Sequence, residues 1–357
     1  GQPDIPCAEH VLEPAGLFQK SFVPYGPAEG LLALREAFAS YYASFSVALT
    51  VPDIFVTTGA SEAIFYAISA CCDPGDEIIV PEPFYANYLG MASMCNVQMK
   101  GITTSLSDNF TLPDNFAFKE RITDRTRAIL LCNPGNPTGQ VYTQKQLEAI
   151  IQLAIAHDLF LIVDEVYKEF CFEGSFYSVL EHKDARDHII VIDSVSKIFN
   201  LCGARVGFLV TRNEEIQETV LKFAQVRLCP PAAGQQLALR SFKNRTDYIP
   251  QLKKEYNERR QTLMTCLNNI SNITYSHPLG AFYTMAQLPV DNTSHFCQWL
   301  LEDFTHNNKT LMLAPADGFY LNPSQGQQQV RIAYILDQER IKEAMDILER
   351  ALAAYTG

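Results

Sequence analysis

Short apolar runs alternate with turns and helical stretches through roughly the first 210 residues, and this alternation restricts the fold more than any other feature. The runs are Ile54-Phe55-Val56, Glu77-Ile78-Ile79-Val80, Ala128-Ile129-Leu130-Leu131-Cys132, Leu159-Phe160-Leu161-Ile162-Val163, Ile189-Ile190-Val191-Ile192 and Val206-Gly207-Phe208-Leu209-Val210. Continuous apolar runs of strand length are buried on both faces, as in a sheet covered by helices. Between them, residues such as Leu31, Leu34, Ala37 and Phe38 recur at helical spacing. The pattern predicts an α/β layer with a largely parallel sheet. Open α/β sheets bind ligands beyond the carboxyl ends of their strands. The residues that follow each run are therefore the place to look for chemistry.

After Ile189–Ile192 come Asp193-Ser194-Val195-Ser196-Lys197 and then Gly203-Ala204-Arg205-Val206-Gly207. A lysine at the mouth of an apolar strand is desolvated, which lowers its pKa and makes the amine a usable nucleophile. Serines and an arginine beside it suit a phosphate dianion. Taken alone, the stretch reads more readily as a surface lysine after a strand.

The other loops add to it. Ala128–Cys132 runs into Asn133-Pro134-Gly135-Asn136-Pro137-Thr138-Gly139, where prolines fix the backbone and glycines permit positive φ around Asn136. Leu159–Val163 ends in Asp164-Glu165-Val166-Tyr167. A buried aspartate needs a partner or an unusual pKa; otherwise it caps a helix. Ile54–Val56 leads through Gly59-Ala60-Ser61 into a helix whose N–H groups can seat a phosphate or be capped by Ser61. Tyr85 stands at another helix start, and Tyr25 in a turn before the helix of Leu31–Phe38. Later, Gln329-Val330-Arg331-Ile332-Ala333 alternates polar and apolar residues around one arginine. Its planar fork fits a carboxylate, or faces solvent from an edge strand. Helices are expected over 214–227, 248–269 and 337–355, and strands from Gly280 and across Leu311–Pro315.

Ser-x-Ser-Lys with Gly-x-Arg-x-Gly, the complete Asn-Pro-x-Asn-Pro-Thr-Gly, Val-Arg-Ile-Ala and the opening Gly1-Gln2-Pro3-Asp4 resemble class I/II aminotransferases. These are pyridoxal-phosphate enzymes of fold type I, and the likeness covers essentially the whole chain in family order. It implies pyridoxal 5′-phosphate held as a Schiff base on Lys197. Ser194, Arg205, Ala60 and Ser61 would hold the phosphate, with Ser196 a weaker candidate. Tyr25 would reach the phosphate of a neighbouring subunit, so a homodimer is implied. Tyr85 would lie against the pyridine ring, Asp164 would pair with its nitrogen, and Asn136 and Tyr167 would meet its 3′-oxygen. Arg331 would clamp the substrate α-carboxylate, with Asn136 nearby and Gly1 beside it through its backbone. Arg227, in a segment like that of alanine aminotransferases, would recognise a second carboxylate or brace the scaffold. The implied organisation is a large domain over 25–245, carrying a mostly parallel mixed sheet between helices, and a smaller α+β domain over 246–357 joined by segment 1–24. Since Gly-x-Pro-Asp lies near, not at, the start of relatives, residues before Gly1 are expected.

Composition narrows the rest. The chain has 357 residues, 47% hydrophobic and 19% charged, with a net charge of −12. The acidic balance argues against nucleic acid and anionic membranes as partners. The ten cysteines show no CxxC pair and no metal spacing, so no metal is expected and a reducing, cytoplasmic setting is. No apolar run approaches membrane-spanning length. The expected substrates are small: an L-amino acid of alanine or aspartate type, with glutamate and 2-oxoglutarate as the shared couple. Aromatic donors stay open, as does a β-lyase acting on sulfur amino acids on the same scaffold. A non-catalytic regulator half is less well matched, because Lys197 and Asp164 are both retained.

Overall fold

The computed structural model describes residues 2, 4–12 and 24–356. Gly1, named above for the substrate carboxylate, lies outside the described residues. Helices α1 (Glu9–Leu12) and α2 (Leu32–Tyr42) precede strand β1 (Ile54–Thr57) and helix α3 (Gly59–Cys71). There follow β2 (Glu77–Glu82), α4 (Asn87–Met94), β3 (Gln98–Thr103), α5 (Asn115–Lys119), β4 (Thr126–Cys132), α6 (Gln144–Ala156) and β5 (Phe160–Asp164). Then come β6 (Ile189–Ser194), the one-turn α7 (Val195–Ile198), β7 (Gly207–Thr211), α8 (Glu214–Arg227) and α9 (Ala232–Lys243). The last part holds α10 (Arg245–Asn269), β8 (Thr274–Tyr275), β9 (Tyr283–Gln287), α11 (Thr293–Glu302), β10 (Ala314–Pro315), β11 (Gln329–Ala333) and α12 (Gln338–Ala354).

The first seven strands form one sheet in the order β1-β7-β6-β5-β4-β2-β3. Strands β3, β2, β4, β5 and β6 pair in parallel, and β7 pairs antiparallel with both β6 and β1. The chain turns from β6 straight back to β7, aligning Ser194 with Gly207. A return without a long crossover gives an antiparallel neighbour. Alternate residues bury on opposite faces. Leu161, Val163, Val191, Phe208 and Val210 pack with Phe38 and Tyr42 of α2. Ile162, Ile190, Ile192 and Leu209 pack with Ala63, Ile64 and Ala67 of α3. Burial on both faces explains why these strands read as unbroken apolar runs.

The second sheet is antiparallel, in the order β10-β11-β9-β8. It shares a core with α10, α11 and α12 through residues such as Leu263, Phe296, Val330, Ile332 and Leu348. Asp337 caps α12 by accepting from Arg340 N–H. Of the run Leu311–Pro315, only Ala314 and Pro315 pair with β11; Pro315, without an N–H, ends the ladder.

Candidate active site

The parallel strands end at one edge of the first sheet, and β11 of the second sheet faces that edge. A cavity of about 350 Å³ opens there. Its walls include Ala60, Ser61, Tyr85, Asn136, Asp164, Tyr167, Ser194, Ser196, Lys197, Arg205 and Arg331.

One part of the wall is an anion cradle. Gly59 starts α3 with φ of 76°, a conformation that suits glycine. A Cβ there would collide with Arg205 Nη2, and a Cβ on Gly207 would strike the backbone of Gly59 and Ala60. The absence of side chains lets the Arg205 guanidinium lie against the α3 N-terminus, where unpaired N–H groups and the positive dipole end favour an anion. Arg205 Nη1 also donates to the Cys202 carbonyl at 3.0 Å. The Ser194 hydroxyl lies 2.9 Å from the Val206 carbonyl and 2.8 Å from the Ser196 hydroxyl. The two serines thus form one linked group beside Arg205.

At the centre stand Asp164 and Lys197. Asp164 is buried at the end of β5. Tyr88 donates to its Oδ2 at 2.8 Å and Val166 N–H to its Oδ1 at 3.3 Å. Burial pushes its carboxyl up to about 6, against these hydrogen bonds. Burial pulls the Lys197 ammonium below the ordinary lysine range, helped by the Arg331 and Arg205 charges and opposed by Cys202 and Asp164. Its Nζ stands 6.0 Å from the Tyr167 ring centroid and 5.8 Å from that of Phe282. The Tyr167 hydroxyl meets that of Tyr283 at 3.2 Å. Tyr85 packs edge-on against Tyr88, with centroids 5.4 Å apart.

Arg331 enters from the second sheet. Its Nη1 donates to Asn136 Oδ1 at 2.9 Å. Its guanidinium lies between the rings of Tyr283 and Phe319, 4.6 and 5.0 Å from their centroids. Arg331 Nε is buried with no hydrogen-bond partner, a donor that a bound anion would satisfy.

Among the described residues, the cavity wall carries three cations, Lys197, Arg205 and Arg331, and one carboxylate, Asp164. On a chain of net charge −12, this excess of positive charge fits a ligand with two anionic groups. The cradle, the orphaned Nε and a carboxylate set apart for a cation together fit a phosphorylated pyridine and a substrate carboxylate. The sequence profile described as aminotransferase class I and II matches residues 6–348.

The chain belongs to the class I and II aminotransferases. Members of this family depend on pyridoxal 5′-phosphate. An aspartate aminotransferase of Thermotoga maritima is 31% identical, covering 98% of this chain and 89% of that protein. The crystal structure of an aromatic aminotransferase from Pyrococcus horikoshii superposes with a TM-score of 0.90 at 30% identity, over 99% of this chain and 94% of that one. An alanine aminotransferase from Pyrococcus furiosus gives 0.89 at 30% identity, over 99% and 90%. These likenesses favour transamination over the lyase reading.

Two residues singled out in the sequence do not reach this aminotransferase cavity. Arg227, expected either to meet a second carboxylate or to brace the scaffold, is not part of this wall: its Nη1 pairs with Glu62 Oε2 at 2.7 Å and its Nη2 donates to the Ala28 carbonyl at 2.6 Å. Glu62 in turn accepts from Thr58 N–H at 2.7 Å, so Arg227 braces the start of α3. Tyr25 is 79% exposed and is not part of this wall. Conversely, Tyr88, Tyr283, Phe282 and Cys202 meet the site residues without having been singled out. The spacing of Tyr85 and Tyr88 at a helix start was a usable signal for the first, and Cys202 stands between Lys197 and Arg205 in the same stretch; Phe282 and Tyr283 come from a segment distant in the chain. No metal cluster occurs among the described residues, and no described helix is long and apolar enough to cross a membrane.

Proposed function

We propose that the cavity binds pyridoxal 5′-phosphate on Lys197 and moves the amino group of an alanine- or aspartate-type L-amino acid, with glutamate and 2-oxoglutarate as the shared couple. The observation that carries the reading is one cavity joining a desolvated Lys197, a buried Asp164, Arg205 from the turn before β7 and Arg331 from β11. Bound cofactor supplies an electron sink for the carbanion at the substrate α-carbon. The chain supplies the rest. Arg205, Ser194, Ser196 and the N–H groups of Ala60 and Ser61 hold the phosphate. Asp164, ionised, keeps the ring nitrogen protonated. Tyr85 covers the ring. Asn136 Oδ1 is engaged by Arg331, so its amide NH₂ is the group offered to the 3′-oxygen, beside the Tyr167 hydroxyl. Arg331 grips the α-carboxylate and fixes the direction of the α-C–H bond, an orientation that lowers the barrier. Lys197 Nζ, once the substrate amine has replaced it on the cofactor, would take the α-proton as general base and deliver it to the cofactor carbon as general acid; its lowered pKa suits both roles.

Aromatic donors form a second reading, favoured by the Tyr85 and Tyr283 rings in the wall. We further assign a homodimer: the exposed Tyr25 side chain would reach the partner's phosphate site. Half-reactions with single amino acids test the function, and sedimentation of wild type against Tyr25→Phe, with cofactor affinity measured alongside, tests the shared site. A monomer that binds the cofactor fully would overturn the assignment.

A further inference from the structure

A buried charge cluster lies on the opposite face of the first sheet from the cavity. Along β6, Ile190, Ile192 and Ser194 share one face, so Asp193 points the other way, with Ile189 and Val191. The side chains of Asp193 and Lys168 are both 0% exposed and form an ion pair. Tyr42 donates to Asp193 Oδ2 at 3.1 Å. The Lys168 ammonium sits 4.8 and 4.9 Å from the ring centroids of Tyr41 and Tyr42. Glu165 is adjacent, accepting from the Ser178 hydroxyl and, at 3.1 Å, from Val179 N–H. Burial pushes the carboxyls of both Glu165 and Asp193 up, and of the two it is Asp193 that the Lys168 ammonium meets as an ion pair.

Burying this pair is costly, and apolar residues of the same volume would often be as stable. The geometry shows what the charges hold in place. Asp193 Oδ1 accepts from Ser194 N–H at 2.7 Å. Ser194 Oγ accepts from Ser196 N–H at 3.1 Å and lies 2.8 Å from Ser196 Oγ. Both serines line the cavity beside Arg205. A chain of contacts thus runs from Lys168, in the turn after β5, through Asp193 to the serines before Lys197.

We propose that Asp193 is a positioning residue for the cofactor phosphate, fixing the Ser194–Ser196 pair from behind the sheet, and that Lys168 is the buried counter-ion that keeps Asp193 in place. This rests on the reading that these serines meet the phosphate.

Two neutral double variants isolate the acceptor. Lys168→Met/Asp193→Asn keeps an oxygen for Ser194 N–H; Lys168→Met/Asp193→Leu removes it at similar volume. Each is purified as the full chain, and its affinity for pyridoxal 5′-phosphate and for pyridoxal is titrated by absorbance. The Asn variant is expected to keep the wild-type preference for the phosphorylated form within about threefold, and the Leu variant to lose about tenfold of it, the worth of one hydrogen bond to a neutral acceptor, with pyridoxal affinity unchanged. A structural lesion would lower both affinities together. Equal preference in the two doubles would overturn the role of Asp193. Lys168→Met alone is expected to melt below the Asn double, or not to fold; a single variant as stable as that double would overturn the role of Lys168. Wild type with no preference for the phosphorylated form would instead refute the underlying phosphate site.

Discussion

Arg331, on β11 of the second sheet, and Asn136, in the turn after β4 of the first, are 195 residues apart, yet Arg331 Nη1 donates to Asn136 Oδ1 at 2.9 Å. The bond ties the carboxylate-binding arginine to the loop that faces the cofactor. It also leaves Nε as a buried, unpartnered donor. Arg331→Lys keeps the charge but loses the planar fork. We expect it to raise KM for amino acids by about 10- to 100-fold, the loss of a charge-assisted hydrogen bond of about 1.5–3 kcal/mol. Cofactor absorbance should be unchanged. Steady-state kinetics with a cofactor titration checks both.

Asp164 makes both folding and cofactor binding depend on pH. Its folded pKa is about 6, above the ordinary 3.8. Between these values the cofactor-free folded protein binds more protons than the unfolded chain, so this group favours folding increasingly as pH falls from about 6 towards 3.8. Cofactor binding has the opposite dependence, because a protonated ring nitrogen needs the ionised carboxylate. Affinity should therefore fall as pH drops through about 6. Tyr88→Phe removes the hydroxyl donor that holds this pKa down. The acid limb of the binding curve should move to higher pH, by about one unit for a bond of about 1.4 kcal/mol. Absorbance titrations across pH read the shift directly.

Gly207→Ala addresses the anion cradle. The added Cβ would strike Gly59 and Ala60 backbone. Overpacking of this kind costs about 1–3 kcal/mol, and here it would also push Arg205 and the α3 N-terminus apart. Denaturant unfolding should show the loss, and affinity should fall more for pyridoxal 5′-phosphate than for pyridoxal.

Arg227→Ala tests the scaffold placement. Removing the guanidinium strands Glu62 at the start of α3, a loss of about 1–3 kcal/mol. The ratio of kcat/KM for aspartate to that for alanine should stay near the wild-type value. A selective fall for aspartate would return Arg227 to the substrate.

Much of this was legible in the sequence because it lies in contiguous motifs. The turns bearing Asn136, Asp164 and Lys197 follow strands that announce themselves as apolar runs, and the fold edge brings them together. What was not legible depends on contacts across the chain. The run Val206–Val210 looks like its parallel neighbours, and only the short return from β6 makes it antiparallel. Tyr283 joins the site through the second sheet, and nothing local signals it. Arg227 reads equally as ligand or brace in the sequence, because its partner Glu62 lies 165 residues away. Lys168, a charge in an apolar surrounding, was the local anomaly left unread.

The central claim is best tested by mixing the purified protein, loaded with pyridoxal 5′-phosphate, with single L-amino acids in the absence of any 2-oxo acid. Alanine, aspartate, glutamate and phenylalanine are compared in parallel by absorbance. A donor is expected to convert the visible cofactor band to the pyridoxamine form, a 2-oxo acid to restore it, and Lys197→Ala to abolish the starting band. A protein that never takes up the cofactor, a band that survives Lys197→Ala, or steady release of pyruvate and ammonia from cysteine without an acceptor would contradict it.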